Sequence, residues 1–242
     1  MKFIDKDIIN EPESLRVYRN TTPNATYKGF GNTSDVRLAL LNEQGYICAY
    51  CMKRISLELN DYYKPQIEIE HYKSQENFQD EGLNYMNMLG VCNGTVRKES
   101  EFVGHCDKSR KFIENGKTHS WEFQKLNPTK KHLSESLISY DLNGKIKSVN
   151  NNKEVENDLN EFLNLNNKYL IEYRRDALDR ARKLFEKNNP KKADKRWNKK
   201  MFDKEIEKYK SRDKKGMYKP FCQYIIWYFE FIKTKNKYLT KE

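Results

Sequence analysis

The apolar positions of this chain change period along its length. Val36, Ala39 and Leu40 fall on one helical face and Leu41 extends it. Ser34 stands where a cap is expected and Gly45 where such a helix would stop. At 66–71 the period shortens to two: Ile67 and Ile69 alternate with Glu68 and Glu70. That predicts a short strand with the two glutamates on one face and His71 on the other, at its end. Beyond about residue 131 glycine is scarce and the period lengthens. Leu163, Leu170, Tyr173, Ala177, Ala181 and Leu184 recur at steps of three, four or seven, predicting one long amphipathic helix that Asn188-Asn189-Pro190 breaks. A second helical stretch is expected over 191–211. After Gly216 to Pro220 comes a third, over about 221–235. The third carries Phe221, Tyr224, Ile225, Tyr228, Phe229 and Ile232 on one side and Ile226, Trp227 and Phe231 around it. A helix apolar on several sides is buried in its own domain or docked on another subunit.

These patterns divide the chain into three regions: 1–30, polar and extended with little regular structure; 31–130, loop-rich; and 131–242, helical. The fold class they predict is α+β, mostly α. The middle region holds four of the five cysteines, three of the four histidines and seven of the ten glycines. With 16 Tyr, 12 Phe and 3 Trp in 242 residues there is enough bulk for a core, which argues against wholesale disorder. Residues 1–7 contain no apolar stretch of the secretory kind. The longest apolar run, Tyr224 to Phe229, is far short of the ~20 residues a spanning helix needs. A soluble, cytoplasmic protein without disulfides is the expectation.

The formal charge of +11 is concentrated in 191–215, where 12 Lys/Arg face 5 Asp/Glu. Trp197, Phe202 and Tyr209 interleave with them. Such a helix suits a phosphate backbone, with Lys195, Arg196, Lys199 and Lys200 as the contacts. It equally suits a solvated helix whose aromatics face a core.

Cys48-Ala49-Tyr50-Cys51 is a C-x-x-C, with Cys92 and Cys106 downstream. Forty residues separate Cys51 from Cys92 and thirteen separate Cys92 from Cys106. Four thiolates so spaced can close a tetrahedral zinc site, and His105 is an alternative fourth ligand to Cys106. Zinc worth an apparent ~10–16 kcal/mol would order a loop-rich region. A redox C-x-x-C would need a thioredoxin-like βαβ context, which is not visible. Cys222, inside the last helix, reads as a small buried apolar residue.

The order of these features carries a resemblance. Cys48-Ala49-Tyr50-Cys51, then Ile69-Glu70-His71, then Tyr85-Met86-Asn87-Met88-Leu89, then Cys92, then Cys106-Asp107 with basic residues behind it, resembles an HNH endonuclease of the ββα-metal type. More narrowly it resembles the HNH nuclease subunit of Septu-type antiphage systems, including those attached to retrons. Leu126-Asn127-Pro128, the run from Ser139-Tyr140-Asp141 to Ile146, and Leu163-Asn164-Leu165-Asn166-Asn167 with Leu170 and Arg174 extend the likeness over about residues 1–190. Two features depart from that pattern. The loop between Cys92 and Cys106 is longer than in compact HNH proteins, and Arg110 stands where lysine is usual.

The resemblance implies an N-terminal zinc-stapled ββα-metal nuclease core and a C-terminal helical domain. His71 would be the general base, and Glu70 and Asp107 would hold Mg²⁺ or Mn²⁺ on the scissile phosphate. Asn87 would orient the histidine loop, while Lys108, Arg110 and Lys111 would contact phosphates. The substrate implied is DNA, or RNA, and the partners are an ATPase and, in retron versions, a reverse transcriptase with its DNA-RNA product. The competing reading is a non-catalytic zinc-ribbon module that grips nucleic acid, or a scaffold subunit.

Overall fold

Residues 1–59, 65–98, 101–190 and 197–235 are described by the computed structural model. The stretch 1–30, expected as loop, contains a nine-residue helix, α1 (Glu13–Thr21). Pro12 at its N-cap and Glu13 in its first turn start it, and Leu15 buries its inner face. Arg19 fixes its far end by pairing with Glu11 and donating to the Leu83 carbonyl at 3.0 Å. α2 (Thr33–Gln44) begins after Asn32, two residues before the expected cap, and ends as expected at Gly45, which is left-handed at φ 62°. Val36, Leu40, Leu41 and Gln44 are its buried face.

Every sheet among the described residues is a two-stranded antiparallel hairpin. β1 (Glu68–His71) pairs with β2 (Met88–Val91) so that His71 lies opposite Met88 and Glu68 opposite Val91. The long insert between Cys92 and Cys106 is folded as β3 (Thr95–Lys98) and β4 (Glu101–Gly104). It therefore leaves β2 and returns to nearly the same place. A single-turn helix, α3 (Asp107–Arg110), follows and leads into β5 (Lys111–Glu114) and β6 (Lys117–Ser120). A further hairpin, β7 (Ile138–Tyr140) with β8 (Ile146–Ser148), precedes α4 (Lys153–Asn157).

α4 runs into a π-helical turn, Asp158–Phe162, and Leu163 closes it. The face read as one helix from Leu163 is thus broken. α5 (Lys168–Asn188) starts only after Asn167, whose side chain accepts from the Leu170 N–H. Asn164 between them is left-handed at φ 45°, which a continuous helix cannot accommodate. Leu170, Ala177 and Ala181 are buried as expected, but Leu184 is 44% exposed and Phe185 takes the core position. Helical period admits either position, and Phe185 takes it because its ring packs on Phe202 and Phe229.

α6 (Lys199–Lys210) and α7 (Cys222–Lys235) complete the helical part. The rings of Phe185, Phe202 and Phe229 meet where α5, α6 and α7 converge, at centroid distances of 5.2 and 5.3 Å from Phe185. α7 buries Cys222, Tyr224, Ile225, Ile226 and Phe229 within its own chain. Phe202 and Tyr209, read as alternating with the cations of the basic stretch, point into this core. Lys199 and Lys200 are exposed at the start of α6, and Lys195 and Arg196 lie outside the described residues.

One continuous set of buried side chains runs from Met1 to Phe229. Backbone bonds tie its ends: Phe221 N donates to Met52 O at 3.1 Å, Tyr218 N to Gly45 O at 2.9 Å and Cys106 N to Leu163 O at 2.9 Å. No described helix is long and apolar enough to cross a membrane. Phe229→Ala should cost about 3–5 kcal/mol in chemical denaturation, because three helices close on that ring. A loss below about 1 kcal/mol would mean that α7 does not pack this way.

Candidate active site

The Cys48–Cys51 knuckle is a tight turn that β2 holds in place. Cys48 N donates to Lys53 O and Met52 N to Cys48 O, while Ala49 N reaches Gly90 O at 3.1 Å. The Gln44 side chain brackets Gly90, accepting from its N–H and donating to its carbonyl, both at 2.7 Å. Cys92 follows β2 directly. Gly94 turns the chain at φ 63°, and a Cβ there would stand 2.5 Å from the His105 carbonyl. Only glycine lets the insert close back so tightly that Cys106 returns to Cys92.

The sulfurs of Cys48, Cys51, Cys92 and Cys106 all lie within 4.8 Å of one another and are buried. Three separations are 3.7 Å (Cys51–Cys92), 3.9 Å (Cys48–Cys106) and 3.9 Å (Cys92–Cys106). A tetrahedron with Zn–S near 2.3 Å requires edges of about 3.8 Å, so the four sulfurs fit zinc. None of the cysteines is in a disulfide. His105 is fully buried beside this set, its Nδ1 3.2 Å from the Cys106 sulfur. Between the two candidates for the fourth position, the compact set of four contains Cys106. Burial and the adjacent sulfurs push the Cys106 thiol well up. Although burial opposes it, hydrogen bonds from Cys106, Cys48 and Cys92 hold Cys51 well down. A dication would resolve that imbalance by taking all four as thiolates.

The second cluster lies where β1, β2 and α3 meet. Glu70 and His71 end β1, and Asp107 opens α3 next to Cys106. Glu70 and Asp107 are both buried, and each shifts the other's ionisation. Burial raises Glu70 well above the usual carboxylate range, opposed by the Arg110 guanidinium and reinforced by the Asp107 charge. Asp107 goes the other way: burial is outweighed by the hydrogen bond from Glu70 and by Lys111, Lys108 and Arg110. Lys108 and Lys111 stand 3.5 and 3.4 Å from Asp107 Oδ2, and Lys108 also binds Glu68 at 2.6 Å. Carboxylate oxygens of this kind are the donors a hard divalent ion prefers.

Arg110 is not the surface contact the sequence suggested. It is 1% exposed, pairs with Glu70 Oε1, and donates to the carbonyls of His71, Tyr72 and Trp121. The Phe123 ring lies under its guanidinium, 4.5 Å from the centroid. Burying a cation beside two acids makes it a structural counter-charge.

His71 is held from three sides. Its Nε2 lies 2.9 Å from the Gly82 carbonyl, which can only accept, so Nε2 carries the proton. Its Nδ1 lies 2.9 Å from the Gln75 side-chain nitrogen, which donates to it. The Tyr27 ring meets the imidazole edge-on at 4.5 Å. Burial lowers the His71 pKa, partly offset by the Gly82 carbonyl and the Asp107 charge. Asn87 donates to the carbonyls of Lys73 and Glu81 and accepts from Lys73 N, stitching together the loop that carries His71. Gln75, Tyr27 and Phe123 were not legible as site residues, since none belongs to a spaced motif.

No family model matches the chain. It is similar to a protein of Escherichia coli whose name is "Retron Ec83 putative HNH endonuclease", with 29% identity over 112 residues. The match covers 42% of this chain and 41% of the relative, so the chain spans less than half the length of the protein it resembles. Similarity to a protein named for that nuclease class and a four-cysteine set fit for metal thus stand together.

If the cysteines hold the fold through zinc, the purified chain should contain one zinc, and Cys48→Ser should be unfolded or aggregated by circular dichroism. A Cys48→Ser protein as stable as the parent would rule out the staple.

Proposed function

We propose that this chain is a metal-dependent endonuclease of the HNH class, with β1, β2 and α3 as a ββα-metal core that hydrolyses phosphodiester bonds in nucleic acid, DNA foremost. The observation that carries the reading is that the helix opened by Asp107 is bonded to the strand end bearing Glu70 and His71, through Arg110 to Glu70 and the His71 carbonyl and through Lys108 to Glu68. Asn87 braces the loop that carries His71, and a four-sulfur cluster fastens Cys106 to β2.

Each residue has a chemical task. His71 Nε2–H is anchored on Gly82, so the imidazole is neutral and its lone pair is at Nδ1. A water replacing the Gln75 amide there gives its proton to Nδ1 as its oxygen attacks phosphorus. Glu70 and Asp107 would hold Mg²⁺ or Mn²⁺, which supplies Lewis-acid stabilisation of the charge that builds on the phosphate and leaving oxygen. Lys108 and Lys111, at the rim beside Asp107, keep positive potential where a phosphate backbone approaches. The basic start of α6, with Lys199 and Lys200, is a second surface of the same sign. Arg110 balances Glu70 from below.

The retron context in the relative's name supports a role in an antiphage complex, with an ATPase and a reverse transcriptase bound to its DNA-RNA product as partners. Restraint by such a partner would protect the host's own DNA. A zinc-ribbon binding module would account for the sulfurs and the charge but leaves the Glu70–Asp107 pair and the oriented His71 without a task.

Plasmid and single-stranded DNA should be cut with Mn²⁺ or Mg²⁺ by the parent, alone or with the partner ATPase, and about 10²–10⁴-fold more slowly by His71→Ala, which stays folded. Equal cutting by both proteins would exclude His71 as the base, and no cutting in either setting would favour the binding module. The imidazole works neutral and burial lowers its pKa, so the rate should fall with decreasing pH through a point below the ordinary 6.5 of histidine. A midpoint above that value, read from a rate profile between about pH 5 and 8, would contradict this assignment.

A further inference from the structure

The three groups that hold the His71 imidazole share a second surface. Gln75 meets it at Nδ1, the Gly82 carbonyl at Nε2 and the Tyr27 ring edge-on. All three residues also line a cavity of about 480 Å³ between the end of α1 and the loop that joins β1 to β2. They lie together there: a Cβ on Gly82 would stand 3.7 Å from Tyr27 and 3.8 Å from Gln75. The cavity thus borders the imidazole through its own partners. Arg19 and Lys28 bring positive charge to the lining, against Asp80 as its one acid. Arg19 is held by Glu11 and the Leu83 carbonyl, whereas Lys28 is exposed. A volume of this size is that of a small-ligand site. Its walls match the parts of a nucleotide: a ring for a base face, the Gln75 and Gln79 amides for a base edge, and Lys28 for a phosphate.

One of those partners stands in the way of the chemistry. Nε2 donates to Gly82, so the lone pair that takes the proton of the attacking water is at Nδ1, and the Gln75 amide caps it at 2.9 Å. Gln75 is exposed and held there by a single hydrogen bond, so exchanging that bond for another acceptor is cheap. A base carbonyl or phosphate oxygen in the cavity is such an acceptor. We propose that this cavity is a substrate subsite for one nucleotide unit of the bound strand, whose base lies against Tyr27 and whose phosphate faces Lys28, and that its occupant draws the Gln75 amide off Nδ1. Cleavage is then tied to a strand that fills the cavity, because a diester without a nucleoside meets a capped base. A base seated there is outside any duplex stack, so the subsite selects unpaired or extruded nucleotides.

The subsite rests on the nuclease reading, and two measurements keep their failures apart. In the first, the zinc-loaded full chain is titrated with trithymidylate, triuridylate or a blunt DNA duplex, with no other divalent ion added. The His71 Nδ1 nitrogen is followed by NMR at about pH 8, where histidine is neutral. A single strand should move that signal saturably, with affinity weakened at least about tenfold in Lys28→Glu, and the two strands tell DNA from RNA. Without ligand, Gln75→Ala should already give the Nδ1 signal of the filled parent. No movement with either single strand, equal movement with the duplex, or Lys28→Glu binding within about twofold of the parent would overturn the subsite. A Gln75→Ala signal identical to that of the empty parent would overturn the cap. In the second, hydrolysis of bis(p-nitrophenyl) phosphate, which has no nucleoside, is measured with Mn²⁺. Gln75→Ala should be about 2- to 10-fold faster than the parent, the equivalent of one net hydrogen bond. A slower Gln75→Ala would make the glutamine only a brace for His71 and refute the proposal. Single-strand binding with the expected NMR shifts, but no hydrolysis of any diester by the parent with or without its partner, would overturn the nuclease reading and leave the nucleotide site standing.

Discussion

Four sulfur atoms within 4.8 Å of one another hold three distant pieces of chain to a common point. Cys48 and Cys51 come from the turn after α2, Cys92 from the end of β2, and Cys106 from the residue before Asp107. Without that point, the entropy of closing the 40-residue and 13-residue loops between them would have to be met by hairpins of four residues a strand. Isolated two-stranded hairpins are marginal at best in water. A zinc ion held there would fasten α3, which starts at Asp107, beside β1, which carries Glu70.

A second constraint is electrostatic. Burying two carboxyls is tolerable because Arg110 lies against one and Lys108 and Lys111 lie near the other. Arg110 is itself tolerable only because His71, Tyr72 and Trp121 offer it carbonyls and Phe123 offers a ring face. The polar network thus extends from the strand through the helix to the segment after β6. Farther away the same logic holds the C-terminal part in place. Buried Asp158 accepts the backbone N–H groups of Gln124, Lys125 and Leu126, and buried Arg174 donates to the carbonyls of Gly144 and Leu165. These are irregular segments whose backbone groups find partners in side chains because no ladder supplies them.

Several features could be read directly from residue order. The cysteine spacing announces a metal set, the Ile67/Ile69 alternation announces β1, and Gly45 announces the end of α2, because each depends on neighbours a few residues apart. The helices at the C-terminus were legible for the same reason, though not their details. A left-handed Asn164 divides a stripe that periodicity alone carries straight through, and the Leu184/Phe185 choice depends on which neighbour presents a groove.

What the sequence by itself determined was the inventory: a four-thiolate set, an acid–histidine strand end, a helical remainder and a concentrated positive charge. Spacing and period are local properties, and local physics suffices for them. What the tertiary structure decided was who faces whom. It closed Cys106 into the sulfur set, turned Arg110 inward onto Glu70, aimed Tyr27 at His71, and left the buried Tyr50 hydroxyl without a partner among the described residues. Those outcomes hang on contacts between residues tens of positions apart, fixed only once the core from Met1 to Phe229 has closed.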